Sequence, residues 1–164
     1  MDPNHYHLTS VWRLPVPPAA VYRALRDVEH YPLWWPQVRR VSRVDDQCGE
    51  LLIRSVLPYH LALTAHERRQ DEAAGLLEAE LTGDLNGWSR WTVGPDGAGD
   101  DNDRPGCRAV FEEEVRPGKP LMRRLALPAR PLFLANHALM MRAGERGLRT
   151  YLAGPRAATG ASGP

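Results

Sequence analysis

Residues 132–152, LFLANHALMMRAGERGLRTYL, decide the fold of this chain. Their apolar residues return every three or four positions, which places them along one face of an α-helix. Gly154 and Pro155 follow, and this order is usual just after a helix ends. The segment therefore predicts a long helix from Leu132 to Leu152 with one face buried against another layer. The residues expected on that face are Phe133, His137, Met140, Met141, Gly144, Leu148 and Tyr151.

The residues before this helix predict the layer that covers it. Segments between Val38 and Val115 have strand-like patterns and are separated by residues typical of turns. The connections between most of them are short, which favours an antiparallel meander. A short helical piece, Leu121–Leu127, joins the last strand to the long helix. The six predicted strands are Val38–Val44, Glu50–Leu57, His60–Gln70, Leu76–Thr82, Gly87–Val93 and Cys107–Val115.

A seventh strand opens the chain, and two short helices follow it. Residues 7–14 alternate with the period of two that a pleated strand requires. Pro17 and Pro18 then end the strand and begin a helix, because proline suits the first helical turn. The next segment, residues 30–36, predicts one short turn carrying Trp34 and Trp35. On a helix these neighbours would point about 100° apart, so they would not share one environment. Anchoring of both in the core is the favoured interpretation; the alternative places one in the core and the other at the mouth of a cavity.

Together these elements predict an α+β fold. A seven-stranded curved antiparallel sheet wraps around the long C-terminal helix, with two short helices between strands 1 and 2. A curved sheet that encloses one helix tends to leave a cavity, because side chains do not always fill the space. We expect one domain over residues 5–153, and a disordered tail over residues 154–164.

Composition and motifs exclude several classes of protein. Lys+Arg number 21 and Asp+Glu 20, so the net charge of +1 gives no reason to expect binding to nucleic acid. No segment has the roughly 18 apolar residues of a membrane span, and no signal peptide opens the chain. With two distant cysteines, these features predict a cytoplasmic protein. Because GxSxG, HExxH, Walker A and paired CxxC motifs are absent, we expect no metal and no cofactor.

Three short segments and the C-terminal helix resemble the START-like superfamily, also called SRPBCC or helix-grip, in its polyketide cyclase/dehydrase branch. The segments are residues 14–22 (LPVPPAAVY), 31–36 (YPLWWP) and 83–91 (GDLNGWSRW). In the helix, Asn136-His137 and the later glycines carry the likeness. The resemblance covers about residues 5–153 and implies the helix-grip fold. Members of the superfamily include lipid carriers, plant hormone receptors, ubiquinone-binding proteins and aromatic polyketide cyclases.

The resemblance implies three functions for this chain. The first is binding of a small hydrophobic or amphipathic molecule, lipid-like or polyketide-like, between the sheet and the C-terminal helix. The second is a cofactor-free aromatic polyketide cyclase/dehydratase, and the third is a ubiquinone-binding or partner-binding protein. Because the sequence shows no nucleophile and no acid–base pair, we favour the binding role over the enzyme.

The strand His60–Gln70 separates the first two functions. The resemblance aligns Arg68 with a pocket arginine of the cyclases, and Tyr31 or Trp35 with an aromatic residue from their short-helix region, although their pocket tyrosine has no clear counterpart here. If the polar face of the strand His60–Gln70 points inward, His66 and Arg68 contact the ligand and, with His137, are the catalytic candidates. The alternative, which the pattern favours, turns its leucine face inward.

Glu113 also has two interpretations. It shares a strand face with Phe111 and could enter the end of the cavity, but a solvated position at the strand terminus is favoured. His137 is interpreted either as a core histidine with one backbone partner, which is favoured, or as the polar group of an apolar pocket. The residues expected to bind the ligand are Trp35, His66, Arg68, Trp91, Phe111, Phe133, His137 and Met141.

Overall fold

A computed structural model describes residues 2–54, 59–97 and 106–154. In these ranges seven strands form a single antiparallel sheet in the order β1-β7-β6-β5-β4-β3-β2. The strands are β1 (Tyr6–Leu14), β2 (Val38–Arg43), β3 (Cys48–Arg54), β4 (His60–Asp71), β5 (Leu76–Gly83), β6 (Leu85–Pro95) and β7 (Cys107–Pro117). The helices are α1 (Pro18–Arg26), a 3₁₀ turn (Val28–His30), α2 (Tyr31–Trp34), α3 (Pro120–Arg124) and α4 (Arg130–Leu152).

The predicted α+β, helix-grip architecture is confirmed. The strands from β2 to β7 form the expected meander, and β1 completes the sheet by pairing with β7 along its whole length. Where strand ends are described, they lie within two residues of the prediction. The end of the strand predicted to reach Leu57, most of the connection between the last two predicted strands, and nearly all of the tail lie outside the described residues.

Strand β7 shows how alternation builds the core. Every second side chain from Cys107 to Pro117 is buried, and the intervening ones are more exposed. Because β7 lies between the edge strand β1 and β6, both of its edges are paired and its inward residues face the helical layer.

Helix α4 packs tightly against α2 and β1. Met141, Gly144 and Leu148 are buried along the predicted face. Tyr151 was expected on that face but is 38% exposed, because it lies in the last turn of α4 and lines a shallow groove beside Leu33. Within the described residues, no helix combines the length and apolar composition needed to cross a membrane.

The two adjacent tryptophans occupy one environment, which corrects the expectation that they would separate. Trp34 and Trp35 are both buried, and their rings stack with centroids 5.4 Å apart. The helical angle between neighbours does not apply, because α2 ends at Trp34 and Trp35 has extended backbone with φ −111° and ψ 99°. Trp12 packs edge-on against both rings, so the pair anchors the core.

Candidate functional site

A cavity of about 290 Å³ lies between the inner face of the sheet, the α1–α2 segment and α4. Its walls are mainly apolar, and exposed charged side chains surround its open end. An apolar pocket with few polar groups is the usual form of a small-molecule site. The residues of the apolar wall include Trp35, Val41, Leu51, Leu63, Leu77, Trp91, Phe111 and Met140. The charged residues at the open end include Asp27, Glu29, Arg43, Asp45, Glu67 and Arg69.

Glu113 supplies a polar group on the buried side of this cavity. It is the one charged residue that is buried among the described residues, at 8% exposure. Its neighbours in the sheet are Ser89, which also lines the cavity, and Leu8. The favoured interpretation of Glu113 as a solvated strand terminus was wrong, because β7 continues to Pro117 and Glu113 lies on its inward face.

His137 contacts this carboxyl group from helix α4. Its Nε2 atom lies 3.3 Å from Oε2 of Glu113, and the two side chains are 14% and 10% exposed. The imidazole also stacks on Phe111, with ring centroids 6.2 Å apart. Nε2 is buried and has no aligned hydrogen bond within the described residues. His137 was expected to bind the ligand, but it is not among the residues that line the cavity; it lies behind Glu113, which does line it.

Strand β4 turns its leucine face toward the cavity. Leu63 and Ala65 line the wall, while His66 and Arg68 are exposed on the outer side. There Arg68 forms an ion pair with Glu80 of β5. This orientation is favoured because burying the charged guanidinium group of Arg68 costs free energy, whereas in water the group keeps its hydration. Burial of the leucine face instead stabilises the fold. The structure therefore does not bring His66 and Arg68 together with His137.

An irregularity in β4 brings polar residues to the open end of the cavity. The pairing with β5 shifts between Glu67 and Arg69, so that Gln70 pairs with Leu77 and both line the cavity. A bulge of this kind re-aims the side chains that follow it. Sequence periodicity alone does not locate such a bulge.

The predicted aromatic residues divide into two groups. Trp35, Trp91 and Phe111 line the cavity, as expected of ligand-binding residues. Trp35 is held in place because its Nε1 donates a hydrogen bond to the carbonyl oxygen of Met140 at 3.0 Å. Phe133 instead packs against Tyr6, with ring centroids 6.4 Å apart.

Met140, rather than Met141, reaches the cavity from α4. Met141 is buried in the core, whereas the half-buried Met140 lines the wall. The two residues are adjacent on a helix and therefore differ by about 100° in direction, which a stripe drawn on the sequence does not resolve.

Tyr31 lines the cavity but its hydroxyl group is already engaged. That hydroxyl donates a 2.6 Å hydrogen bond to the carbonyl oxygen of Leu25. Burial, followed by the nearby carboxylate of Asp27, raises the pKa of Tyr31 above its ordinary value. The phenol therefore stays neutral, and it orients the α1–α2 connection rather than a ligand.

Solved structures with similar folds span nearly the whole chain. The ZhuI aromatase/cyclase of a Streptomyces species superposes with a TM-score of 0.73 at 15% identity, covering 96% of this chain and 99% of that one. A Thermus thermophilus protein gives a TM-score of 0.69 at 18% identity, covering 87% and 97%. The di-domain aromatase/cyclase BexL gives 0.62 at 11% identity, covering 90% of this chain and 50% of that one. At these identities the likeness shows the fold alone.

Sequence comparison identifies the family. A search of curated proteins found no significant match. The family profile described as "Polyketide cyclase / dehydrase and lipid transport" matches residues 5–153, which is most of the chain and includes the whole sheet and helix α4. The chain therefore belongs to the polyketide cyclase/dehydrase and lipid transport family.

Proposed function

We propose that this protein binds a small amphipathic molecule in the cavity, with an apolar body along the wall and a polar group at Glu113, which His137 contacts from α4. The observation that carries the proposal is an apolar cavity with one buried carboxyl–imidazole contact on its inner side. Burial of the apolar body contributes most of the affinity, at roughly 25 cal/mol per Å² removed from water. The polar contact sets the orientation.

The chemistry of the polar end selects a hydroxyl group. An ionised carboxylate only accepts hydrogen bonds, whereas a neutral imidazole can accept through one nitrogen or donate through it. A ligand hydroxyl can donate to Glu113, whose carboxyl group is contacted from behind by Nε2 of His137. A ligand carboxylate has no proton to donate and would be repelled by Glu113. Long-chain alcohols and phenols are therefore the preferred class.

The test compares two ligands that differ only at the polar end. Dodecanol and dodecanoic acid are titrated against the protein, and quenching of Trp35 and Trp91 fluorescence reports binding in the cavity. We expect dodecanol to bind more tightly. Glu113→Gln should weaken dodecanol binding by tenfold at most, because one hydrogen bond contributes about 0.5–1.5 kcal/mol.

Glu112→Gln is the matched control, because Glu112 lies next to Glu113 on the same strand but lies near Arg90 on the outer face. This variant should bind dodecanol like the wild type. If Glu113→Gln binds dodecanol and dodecanoic acid with the same affinities as the wild type, Glu113 does not contact the ligand's polar group and that part of the proposal is wrong. Absence of any quenching would remove the binding function itself.

A cofactor-free cyclase or dehydratase is the second candidate, and the Glu113–His137 contact favours it. A carboxyl group beside an imidazole in a water-poor site is an arrangement suited to general acid–base catalysis. Its substrate would be a poly-β-ketone, whose enolisation needs a base at a C–H bond. Against this candidate, Arg68 lies outside the cavity and is paired with Glu80.

A turnover assay separates the two candidates. Wild-type protein and the variants Glu113→Gln and His137→Ala are incubated with a poly-β-ketone surrogate, and cyclised product is followed by chromatography. A binding protein gives no product above background in any sample. Product from wild type that falls by about a hundredfold or more in both variants, well beyond the tenfold limit on lost dodecanol affinity, would select the enzyme.

A further inference from the structure

The outer side of α3 and of the first half of α4 exposes an unusual number of leucines. Ten large hydrophobic residues are exposed among those the structure describes, and six of them fall between positions 121 and 139. Leu127 is 70% exposed. Scattered apolar side chains on a surface are normal, but a concentrated group of this kind marks an interaction site. The six are Leu121, Leu125, Leu127, Leu132, Leu134 and Leu139.

Helix α4 provides an internal comparison. In its second half the exposed side chains are polar, as in an ordinary surface helix: Arg142, Arg146, Arg149 and Thr150, with Tyr151 as the exception at the end. In its first half every exposed side chain is apolar. These are Pro131, Leu132, Leu134, Ala135, Ala138 and Leu139. One face of a single helix thus changes from apolar to basic at residue 142.

The charge of this region is one-sided. Residues 116–144 contain six Lys or Arg and no Asp or Glu, although the whole chain has a net charge of only +1. Arg124 and Arg142 are exposed, and neither side chain has an ion pair or hydrogen bond in the described part of the chain. Arg123 is exposed too, and it donates to the carbonyl oxygen of Pro117. Three cationic groups therefore flank the leucines without a carboxylate partner.

We propose that this docking surface, residues 120–142, binds the face of an anionic lipid bilayer. The leucines would enter the boundary between headgroups and acyl chains, while Arg123, Arg124 and Arg142 contact lipid phosphates. An apolar face bordered by arginine is the pattern of helices that lie in a membrane interface. Each basic residue near an anionic surface strengthens the attraction.

Charge also decides against a second copy of the chain as the occupant. A two-fold symmetric contact would place this surface against itself, with arginines facing arginines. Like charges brought together across an interface are unfavourable, and no carboxylate lies in residues 116–144 to offset them. An anionic lipid surface complements both the charge and the apolar area.

The proposal does not depend on what the cavity binds. The surface does, however, lie beside the cavity, because Met122 of α3 and Met140 of α4 pack against the core group of Ile53, Leu61 and Leu63.

Vesicle sedimentation tests the proposal with the full chain. The protein is mixed with vesicles of phosphatidylcholine alone or of phosphatidylcholine with phosphatidylglycerol, at low and high NaCl. We expect binding to the anionic vesicles, weakening as salt screens the charges. Arg124→Gln with Arg142→Gln should weaken binding by roughly 25-fold, because each arginine contributes about 1 kcal/mol, or fivefold.

A second pair of substitutions tests the apolar part. Leu132→Gln with Leu139→Gln should weaken vesicle binding by about tenfold or more, because two inserted side chains are lost. Both leucines are exposed, so thermal unfolding should stay unchanged. Should this variant fail to fold, Leu121→Gln with Leu127→Gln on the α3 side replaces it.

Matched controls carry the same substitutions elsewhere. Leu33→Gln with Val44→Gln changes exposed apolar residues outside the surface, and Arg39→Gln with Arg108→Gln removes two other exposed arginines. Both controls should bind vesicles like wild type. Absence of vesicle binding, equal binding to both vesicle types, or equal losses in the controls would overturn the proposal. A wild-type dimer that the leucine variant dissociates would overturn it in favour of contact between copies.

Discussion

Two glycines in α4, Gly144 and Gly147, are required by the tryptophans that pack against them. In an isolated helix each glycine costs about 1 kcal/mol relative to alanine. In the fold, a Cβ atom at Gly144 would lie 2.6 Å from Cε2 of Trp35, and one at Gly147 would overlap the carbonyl oxygen of Trp34. The missing side chains therefore let α4 approach α2 and the tryptophan pair.

Gly147→Ala should destabilise the protein by about 1–3 kcal/mol, since overpacking outweighs the gain in helix propensity. Urea unfolding measures the change. Gly94→Ala is the control, because nothing lies within 4 Å of a Cβ placed there. Equal stability of Gly147→Ala and wild type would show that α4 can move away from Trp34 at no cost.

The two cysteines should differ in reactivity. Burial raises the pKa of the Cys107 thiol to about 11; a hydrogen bond from the backbone of Gly94 partly opposes this increase, and Asp96 adds a smaller one. Partial burial and the carboxylates of Asp45 and Glu50 raise the pKa of Cys48, which lines the cavity. At pH 8 a thiol reagent should label Cys48 slowly, and Cys107 only after unfolding.

A bound ligand should slow the labelling of Cys48 further, and mass spectrometry of the labelled protein reports both sites. Because the pKa of Cys107 is higher in the folded chain than in the unfolded chain, the free energy of unfolding depends on pH. The contribution of Cys107 is fully present below its ordinary pKa of about 9 and is lost as the pH rises toward 11. Rapid labelling of Cys107 in the folded protein would contradict its placement in the core.

At the scale of elements, Asp84 joins three parts of the fold. It lies between β5 and β6, and its Oδ2 accepts a 2.8 Å hydrogen bond from the backbone N–H of Ala62 at the start of β4. The same oxygen lies 3.1 Å from Nζ of Lys119, just before α3. Its backbone carbonyl accepts a 2.7 Å hydrogen bond from the N–H of Gly118. One side chain thus holds β4 and the β7–α3 connection together.

Asp84→Ala should destabilise the fold by about 1–3 kcal/mol, because it leaves the Ala62 N–H without its partner. Urea unfolding gives the loss, and hydrogen exchange should show faster exchange at Ala62. Asp46→Ala serves as the control, since Asp46 is exposed in the β2–β3 turn and should change neither quantity. Protection of Ala62 that is unchanged in Asp84→Ala would show that another group replaces the carboxylate.

At the scale of the whole molecule, the cavity results from the way one sheet covers a helical layer. Seven strands offer more inner surface than α4 and the α1–α2 segment can cover. The uncovered part lies over β3, β4 and β5, while the tryptophan cluster fills the space near β1 and β7. The cavity is therefore a property of the assembled layers and of no single element.

Filling this space should abolish binding without unfolding the protein. Ala65 lines the cavity, so Ala65→Phe should occupy part of it, remove dodecanol binding and leave the melting temperature equal or higher. Ala62→Phe is the control, because Ala62 is exposed on the other face of the same strand. Dodecanol binding that survives Ala65→Phe at full strength would place the ligand elsewhere.

The elements and their order follow from local patterns in the sequence. The alternation in residues 7–14 and the spacing in residues 132–152 are local patterns. Each one shows which side chains share a face of the strand or helix, and the apolar face is the one that is buried. Short connections then restrict the strands to a meander. For this reason the seven strands, the long helix and the inner positions of Trp35, Trp91 and Phe111 were predicted.

Contacts between residues that are distant in the sequence arise from the tertiary structure. Alternation along β4 shows two faces, but burial against the other layer selects the leucine face and leaves Arg68 outside with Glu80. The contact between Glu113 and His137 joins a strand and a helix that are adjacent in space only, so no local pattern encodes it. A periodic sequence shows that a face is buried; what it is buried against depends on how the layers pack.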